Sequence, residues 1–354
     1  MGPLRASAIA LSLSVATSVL AQASESGRAG AMVNLLGAPA TWAVLPDAEG
    51  HPEIERLLVR PSDLWERIRL GFAMPQLEHP LVARYEAWYA GKPDLVRAIL
   101  MRARRYLHFI VEEVERRGMP TELALLPVVE SGFDPMALSP AQASGLWQFI
   151  PSTGTRYNLE QNTHYDARRD VLASTGAALD YLQYLYGLHK DWHLALASYN
   201  WGENAVARAA DRSRGRGAEA EFGRLSLPEE TRHYVPRLQA VKNLVADPAK
   251  YGFDLGELPN EPYFSVIPNR GDVPLAVAAR LAGLSQEEFT ALNPAWKPPR
   301  IAGDKGPGLV LPVDRVESFR ANFALWEEEQ RLEKARQKPR SRKQGVSAGR
   351  ETGR

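Results

Sequence analysis

Glu130 is the side chain in this sequence that is best suited to acid–base chemistry. It lies in the segment VVESGF, residues 128–133, directly after the apolar residues 123–129. Apolar neighbours and the dipole of a helix C-terminus both disfavour the charged carboxylate, so they would raise its pKa from about 4.3 toward about 6. A carboxyl group with that pKa can donate a proton near neutral pH. The hydroxyl of Ser131 is predicted to hold this carboxyl by hydrogen bonding.

Two short boxes of amide and aromatic residues follow Glu130 along the chain. The first, GLWQF, occupies residues 145–149, and the second, ASYNWG, occupies residues 197–202. We predict that the first box is extended and that at least one of Trp147 and Phe149 lies in the core. The second box is as consistent with a helix end as with a binding site. Sugars offer hydroxyl and N-acetyl groups beside an apolar ring face, so the set as a whole favours a sugar-binding cleft.

Composition excludes several other chemistries. The 354 residues contain no cysteine, which rules out disulfides, thiol nucleophiles and cysteine-ligated zinc. The formal net charge of +1 gives no overall field for binding nucleic acid. His189 and His193 are four residues apart, but the glutamate of a zinc-protease helix is missing between them, so we predict structural roles and no metal. Asp134 is close to Glu130 in sequence, yet we do not expect it to be a second catalytic acid.

Helical periodicity dominates residues 94–250. Apolar residues recur at spacings of three and four from Asp94 onward, which predicts one helix that ends at Gly118. Thr121 is predicted to cap a short helix that ends at Glu130, and Asp170 to cap a longer one. A further helix is predicted over residues 229–245. These helices would position Glu130 and both boxes.

The two ends of the chain differ from this helical part. Arg5 precedes an uncharged run, and small residues then recur, which predicts a removable export signal at residues 1–21. An N-terminal extension, 22–93, is expected to be ordered only from about residue 60. No later stretch is long and apolar enough for a transmembrane helix. Residues 327–354 form a basic tail that we expect to be disordered in its final part.

A separate unit of different pattern follows residue 261. Residues 263–267 alternate as in a strand, residues 275–284 are helical, and Ser285 is predicted to cap a second helix. Residues 309–312 would form a closing strand. The pattern predicts a β-α-α-β unit over residues 262–313.

Glu130 and the two boxes, in this order and at these spacings, resemble the catalytic domain of lytic transglycosylases of the soluble-lytic-transglycosylase type. The resemblance extends over residues 60–325 through the sequences DLWERIR, MPTELALLP, RRDVLAS and DWHLALA, which are similar to the type D group. It implies a mainly α fold, with a lysozyme-like catalytic domain over residues 94–250 and a small α+β LysM-like unit over residues 262–313. Residues 287–294 carry the LysM likeness, and for this unit glycan binding and mere packing remain equally open.

The same resemblance implies a function and a set of site residues. The expected activity is cleavage of the MurNAc-β-1,4-GlcNAc bond of peptidoglycan strands without water, giving 1,6-anhydroMurNAc, with no cofactor and Glu130 as the general acid and base. The expected substrate-binding residues are Ser131, Ser139, Gln148, Tyr199, Asn200 and Tyr234, with Tyr234 close to Glu130. Type D relatives are commonly lipoproteins, but this chain has no cysteine to acylate, so we expect a soluble periplasmic protein, or one that is held at the wall or membrane by contacts alone.

Two other functions remain open from the sequence. A goose-type lysozyme would use the same Glu130 but would hydrolyse the bond, leaving a reducing MurNAc end. A catalytically silent scaffold would bind peptidoglycan without cleaving it. The products released from cell-wall sacculi distinguish the three.

Overall fold

The computed structural model describes residues 31–34, 42–45, 61–215, 217, 220–269, 271–301 and 307–337. The predicted export signal and the end of the basic tail lie outside these residues. Strands β1 (Ala31–Asn34) and β2 (Trp42–Leu45) pair antiparallel in a hairpin that the sequence did not predict.

Helices account for most of the described chain between residues 61 and 261. The α-helices are α1 (Leu64–Leu70), α2 (Pro80–Ala90), α3 (Pro93–Ala103), α4 (Leu107–Arg116), α5 (Leu126–Glu130), α6 (Pro151–Arg156), α7 (Val171–His189), α8 (Trp192–Trp201), α9 (Glu203–Arg214) and α10 (Glu229–Ala246). Short 3-10 helices occupy Thr121–Leu125, Phe222–Arg224 and Ala249–Tyr251. The predicted helices that start after Asp170 and at Glu229 are confirmed.

The single long helix predicted from Asp94 to Gly118 is wrong in one respect, because the structure has two helices there. Residues 104–106 form a turn between α3 and α4, in which the Tyr106 amide donates to the Ala103 carbonyl at 2.9 Å. Tyr106 is only 1% exposed. No glycine or proline marks this break in the sequence. The turn is held by burial of the Tyr106 ring against the rest of the fold.

Thr121 does not cap the helix that leads to Glu130. Its hydroxyl donates to the Ile68 carbonyl at 2.6 Å, and the segment begins as a 3-10 helix after Pro120. Glu122, which is 1% exposed, fixes this start instead. Its carboxylate accepts from the backbone amides of residues 73 and 74 at 3.0 and 2.9 Å and pairs with Lys242 at 2.8 Å. Tertiary contacts have therefore replaced the predicted local cap.

The chain divides into two compact units. The first joins Met1–Val129 with Leu179–Glu261, and the second joins Glu130–Ala178 with Pro262–Arg354. In the first unit α10 packs against α2 and α8. The apolar core of this unit includes the fully buried side chains of Leu64, Ile68, Leu107, Ile110, Leu123 and Leu126. The domain boundaries drawn from the sequence, 94–250 and 262–313, stay predictions.

The second unit contains the predicted β-α-α-β order. Strand β3 (Phe264–Ile267) pairs antiparallel with β6 (Leu309–Pro312), and helices α11 (Leu275–Leu281) and α12 (Gln286–Leu292) lie between them in sequence. Ser285 forms a capping box with Glu288, as the sequence indicates. Two further strands, β4 (Val273–Pro274) and β5 (Arg300–Ile301), form a short additional ladder. Helix α13 (Val316–Gln337) follows the unit.

Residues 162–167 pack directly on the LysM-like part of the second unit. The Asp166 amide donates to the Ala295 carbonyl at 2.9 Å, and the ring of Tyr165 lies 4.8 Å from that of Trp296. The Lys297 amide donates to the His164 carbonyl at 2.9 Å. These bonds explain why residues 130–178 and the C-terminal part form one compact unit. They show that this unit packs on residues 162–167, and its glycan binding stays a prediction.

Candidate active site

Glu130 is the last residue of α5, so the predicted position at a helix C-terminus is confirmed. The next turn reverses the chain through two left-handed residues, Gly132 with φ 59° and Phe133 with φ 57°. A bulky side chain rarely adopts this conformation, which costs about 1–3 kcal/mol. Phe133 is 1% exposed, and the burial of its ring holds the strained turn in place. Glu130 itself is half-buried.

Ser131 connects Glu130 to the segment that carries the first amide box. Its hydroxyl donates to the Leu146 carbonyl at 3.0 Å. We call residues 137–149 the Gln148 loop. The hydroxyl hydrogen of Ser131 therefore ties the turn after Glu130 to the Gln148 loop. The predicted bond from Ser131 to the Glu130 carboxyl stays a prediction.

The first box is a tight turn, so the predicted extended conformation is wrong. Gly145 has φ 84° and Gln148 has φ 49°, and the backbone N–H of Gln148 donates to the Gly145 carbonyl at 3.3 Å. A Cβ atom on Gly145 would lie 2.2 Å from the carbonyl oxygen of Arg168. Glycine is needed here because the backbone of the loop passes against another backbone segment.

The aromatic residues of this box are anchors of the loop. Trp147 is 0% and Phe149 2% exposed, so the prediction that at least one lies in the core is confirmed. The indole Nε1 of Trp147 donates to the Thr175 hydroxyl on α7 at 2.9 Å. The ring of Trp147 therefore locks the loop to the helix, and the half-buried side chain of the box is Gln148.

The loop also fixes the orientation of the side-chain amide of Gln148. Its Nε2 donates to the Gly145 carbonyl at 2.8 Å and approaches the Ala137 carbonyl at 3.4 Å. With both Nε2 hydrogens directed at backbone carbonyls, Oε1 is the atom of this amide that is suited to accept from a substrate N–H or O–H. Ser139 closes a turn of the same loop, where its hydroxyl oxygen accepts from the Ala143 amide at 3.0 Å.

A buried ion pair that the sequence analysis missed supports the Gln148 loop. Arg168 binds Asp166 through two bonds of 2.9 and 2.7 Å and donates to the carbonyls of Gln142 and Phe149 at 2.7 and 3.2 Å. Burial by itself would raise the pKa of Asp166, but hydrogen bonds and charge from Arg168 outweigh it, and the pKa is lowered. The motif RRD contains Arg168, but nothing in the sequence indicates that its guanidinium binds loop residues 19 and 26 positions earlier.

Tyr199 and Asn200 lie in the first unit, at the C-terminal end of α8. The helix ends at Gly202, which has φ 90°. The amide oxygen of Asn200 accepts from the Thr231 hydroxyl at 2.7 Å, and its Nδ2 donates to Glu230 at 3.2 Å. The first turn of α10 therefore fixes the Asn200 side chain. The ring of Tyr199 packs 5.4 Å from that of Tyr181.

The predicted site residues fall into two groups. Glu130, Ser131, Ser139 and Gln148 belong to the second unit, where Ser131 bonds to the Gln148 loop. Tyr199, Asn200 and Tyr234 belong to the first, and Tyr234 is a buried residue of α10 with 5% exposure. The closeness of Tyr234 to Glu130 remains a prediction.

The other groups singled out in the sequence have structural contacts. Asp134 accepts from the Met136 amide at 2.9 Å in a local turn. His189 bonds to Ser198 at 2.8 Å, and His193 bonds to the Pro75 carbonyl at 3.2 Å. Desolvation lowers the pKa of both histidines. Within the described part of the chain, acids and histidines form no cluster suited to a metal ion.

Two family models match the chain. Residues 108–222 match the transglycosylase SLT domain, and residues 263–326 match the LysM-like domain of the lytic transglycosylase MltD. The resemblance stated from the motifs is thereby confirmed, as is a mainly α fold in which a lysozyme-like domain precedes a LysM-like unit with small sheets.

Curated proteins give a more specific likeness. The membrane-bound lytic murein transglycosylase D of Escherichia coli K12 is 36% identical over 268 residues, which cover 75% of this chain and 59% of that protein. A putative tributyltin chloride resistance protein of Alteromonas sp. strain M-1 is 46% identical over 109 residues, 30% of this chain and 53% of that protein. The membrane-bound lytic murein transglycosylase C of Haemophilus influenzae PittEE is 31% identical over 137 residues, 35% of this chain and 38% of that protein.

These findings confirm the resemblance to lytic murein transglycosylase D, of whose length the chain spans 59%. The relatives of types D and C are named as membrane-bound proteins. In this chain, no helix among the described residues has both the length and the apolar character needed to cross a bilayer.

Proposed function

We propose that this protein is a peptidoglycan lytic transglycosylase in which Glu130 is the single general acid and base. The observation that carries the proposal is the placement of Glu130 at the end of α5, with the next residue bonded to the Gln148 loop at 3.0 Å. A half-buried carboxyl group can act as a proton donor, and the loop bonded to the next residue offers a fixed amide to an N-acetylated glycan. The SLT domain match at residues 108–222 supports the same activity.

The proposed reaction needs one carboxyl group because the substrate supplies the nucleophile. Glu130 protonates the bridging oxygen, the bond from that oxygen to C1 of MurNAc breaks, and GlcNAc leaves with a free 4-hydroxyl. The acetamido group of MurNAc stabilises C1. The Glu130 carboxylate then takes the proton of the 6-hydroxyl as O6 attacks C1, which forms 1,6-anhydroMurNAc and restores the acid. Ordinary glycosidases use two carboxyl groups, one of which supplies the nucleophile or activates water.

The remaining site residues are proposed to bind and orient the sugars. The Oε1 atom of Gln148 would accept from an N-acetyl N–H, and the Asn200 amide, held by Thr231 and Glu230, would bind a neighbouring sugar. Tyr199 and Tyr234 would line the same subsites. Ser139 would position the glycan from its loop turn. An oriented strand brings O6 and C1 together, and intramolecular attack of this kind gains several kcal/mol, up to about 7–11 in the best cases.

We also propose that the protein acts in the periplasm. The support is the apolar run within residues 1–21, the proposed peptidoglycan substrate and the relatives that are named as membrane-bound. Export can be tested by fractionating cells that make the full chain and by sequencing the mature N-terminus, which we expect to begin shortly after residue 21. A protein that keeps its first residues and stays in the cytoplasm would contradict the proposal.

The activity is tested by incubating the protein with purified sacculi and identifying the released fragments by mass spectrometry. We expect 1,6-anhydroMurNAc ends, no product from Glu130→Gln, and full activity from the matched control Asp134→Asn. Reducing MurNAc ends would identify a lysozyme-type hydrolase, and binding without release would identify a silent scaffold. Undiminished release by Glu130→Gln would remove Glu130 from the mechanism.

A further inference from the structure

A cleft of about 470 Å³ in the first unit has no role in the proposed reaction. It is formed by side chains of α2, α3 and α10 and by the two valines that precede Glu130 in sequence. Its volume lies within the range of small-molecule sites, about 300–1,000 Å³. The residues that decide its chemistry are Arg84, Tyr85, Trp88 and Arg237.

The cleft is positively charged. Arg84 and Arg237 both line it, and the ammonium of Lys92 lies 5.0 Å from the centre of the Trp88 ring. No acidic residue is among the described lining residues, and neither of these arginines forms an ion pair with any residue that the structure describes. Glu86, on the same helix as Arg84, is engaged elsewhere by the side chain of residue 243 at 2.6 Å. The charge of the cleft therefore favours an anionic ligand.

One of the two guanidinium groups is held in place. Arg237 lies over the ring of Tyr85, with 5.1 Å between its Cζ atom and the ring centre, and its Nη2 is 3.5 Å from the Tyr85 hydroxyl. That hydroxyl also bonds to Nδ1 of His233 at 2.8 Å. A guanidinium fixed by stacking loses little side-chain entropy when it binds a carboxylate through two parallel bonds.

The rim of the cleft is apolar and exposed. Trp88 is 43% and Leu95 is 39% exposed, whereas Tyr89 below them is 4% exposed. The rings of Trp88 and Tyr89 meet edge to face at 4.9 Å. Large exposed apolar side chains beside two arginines, one of them held in place, suit a ligand with both short aliphatic groups and carboxylates. A short acidic peptide has this chemistry, and an uncharged GlcNAc chain lacks the charge.

We propose that this cleft binds the acidic stem peptide that peptidoglycan carries on MurNAc, with Arg84 and Arg237 binding its carboxylates. The inference rests on the proposed function, because it assigns the peptide part of the same substrate. Val128 and Val129 line the cleft, and Val129 is bonded to Glu130. The peptide is attached to the sugar whose C1 reacts, so peptide binding would select which MurNAc unit reaches the acid.

Binding of the peptide alone tests the inference without catalysis. Isothermal titration calorimetry of the full chain with the tetrapeptide L-Ala-γ-D-Glu-meso-diaminopimelate-D-Ala should show saturable binding that weakens at high salt. The double variant Arg84→Gln, Arg237→Gln should bind at least about tenfold more weakly, since charge-assisted bidentate bonds are lost. The control is a second double variant, Arg116→Gln with Arg208→Gln, which removes the same charge from exposed positions. This control should bind the peptide as tightly as the parent does. No binding by the parent chain, or equal binding by both double variants, would overturn the inference.

Cleavage assays separate the peptide from the sugar. Glycan strands that carry stem peptides are compared with strands from which an amidase has removed them. The Arg84, Arg237 double variant should lose about tenfold in kcat/KM on the peptide-bearing strands and nothing on the bare strands. Equal loss on both substrates would mean that the cleft binds sugar or only supports the fold, and no loss on either would mean that it has no role.

The two proposals fail in distinguishable ways. If Glu130→Gln kept its activity, the reaction mechanism would fall, but the peptide titration would still report on the cleft. If the arginine variant bound peptide normally, the cleft assignment would fall and the mechanism would stand. Circular dichroism and thermal unfolding of each variant show whether it is folded. Arg237→Lys, which keeps the charge and loses the bidentate geometry, should fall between the parent and the glutamine variant.

Discussion

Replacing Gly145 with alanine should disrupt the Gln148 loop. No other single methyl group added to this turn should disrupt the loop as much. Gly145 has φ 84°, and a left-handed conformation costs an L-residue about 1–2 kcal/mol. The added Cβ would also lie 2.2 Å from the Arg168 carbonyl oxygen, where ordinary contacts begin at 3.4 Å. One backbone segment must therefore move by the difference, about 1.2 Å, and forced displacements of this kind cost about 1–3 kcal/mol.

These two effects together predict a loss of about 2–5 kcal/mol in the free energy of unfolding, out of a total of about 5–15. Activity should fall further than stability, because a displacement of about 1 Å at a catalytic site can cost about a hundredfold in rate. The assays are urea unfolding followed by tryptophan fluorescence, and the release of anhydromuropeptides from sacculi under conditions where the variant is folded.

The matched control is Gly187→Ala. Gly187 lies inside α7, and a Cβ placed there would meet nothing within 4 Å. Alanine should stabilise the helix by about 0.5–1 kcal/mol and leave cleavage unchanged. A Gly145→Ala protein that unfolds within 0.5 kcal/mol of the parent, roughly the scatter for neutral substitutions, and cleaves normally would refute the reasoning.

Three further substitutions test contacts of the second unit. Ser131→Ala removes the bond to the Leu146 carbonyl and should cost about 1–3 kcal/mol in urea unfolding, with a larger loss of cleavage; an unchanged rate would show that this link is dispensable. The pKa of Asp166 is lowered in the folded protein, so its ion pair with Arg168 stabilises the fold fully at pH values above the unfolded-state pKa, near 3.9. This stabilisation is lost as the pH falls through the folded-state pKa. The parent protein should therefore lose stability in acid. Asp166→Asn should lack this dependence and, at pH 7, should be about 3–5 kcal/mol less stable because it leaves a buried guanidinium unpaired; a steep acid dependence retained by the variant would contradict this. Asn293→Ala removes two buried bonds to Val310 of β6 and one to the Phe289 carbonyl of α12, and it should cost about 3 kcal/mol in thermal unfolding, whereas a loss below about 1 kcal/mol would mean that these bonds add little.

Signals that act within a few residues were sufficient to predict many elements. Asp170 and Ser285 bond to amides three residues later, so their helices begin where the sequence indicates. Strand β6 and helix α10 follow from apolar patterns that their own residues contain. Glu130 was singled out as a candidate because an acid directly after an apolar run is chemically unusual and because of its spacing from the two boxes, and its catalytic role stays a proposal.

Features that depend on distant residues could not be predicted. Tyr106 breaks a regular apolar periodicity by being buried, and Thr121 bonds to a carbonyl 53 residues away instead of capping its own helix. The first amide box was expected to be extended because its sequence has no turn signal beyond one glycine. It turns because Gly145 passes against the backbone of Arg168, a contact that no local pattern contains.

The sequence alone determined the class of fold, the position of Glu130 at a helix end and the order of the elements around it, because periodicity, helix caps and motif spacing are properties of neighbouring residues. Tertiary structure decided how the site is held. The bond from Ser131 to the Gln148 loop, the buried Arg168–Asp166 pair and the arginine-lined cleft each join residues that are far apart in the chain. Such contacts form only when packing excludes water and brings separate segments together, so they leave no signal in a single sequence.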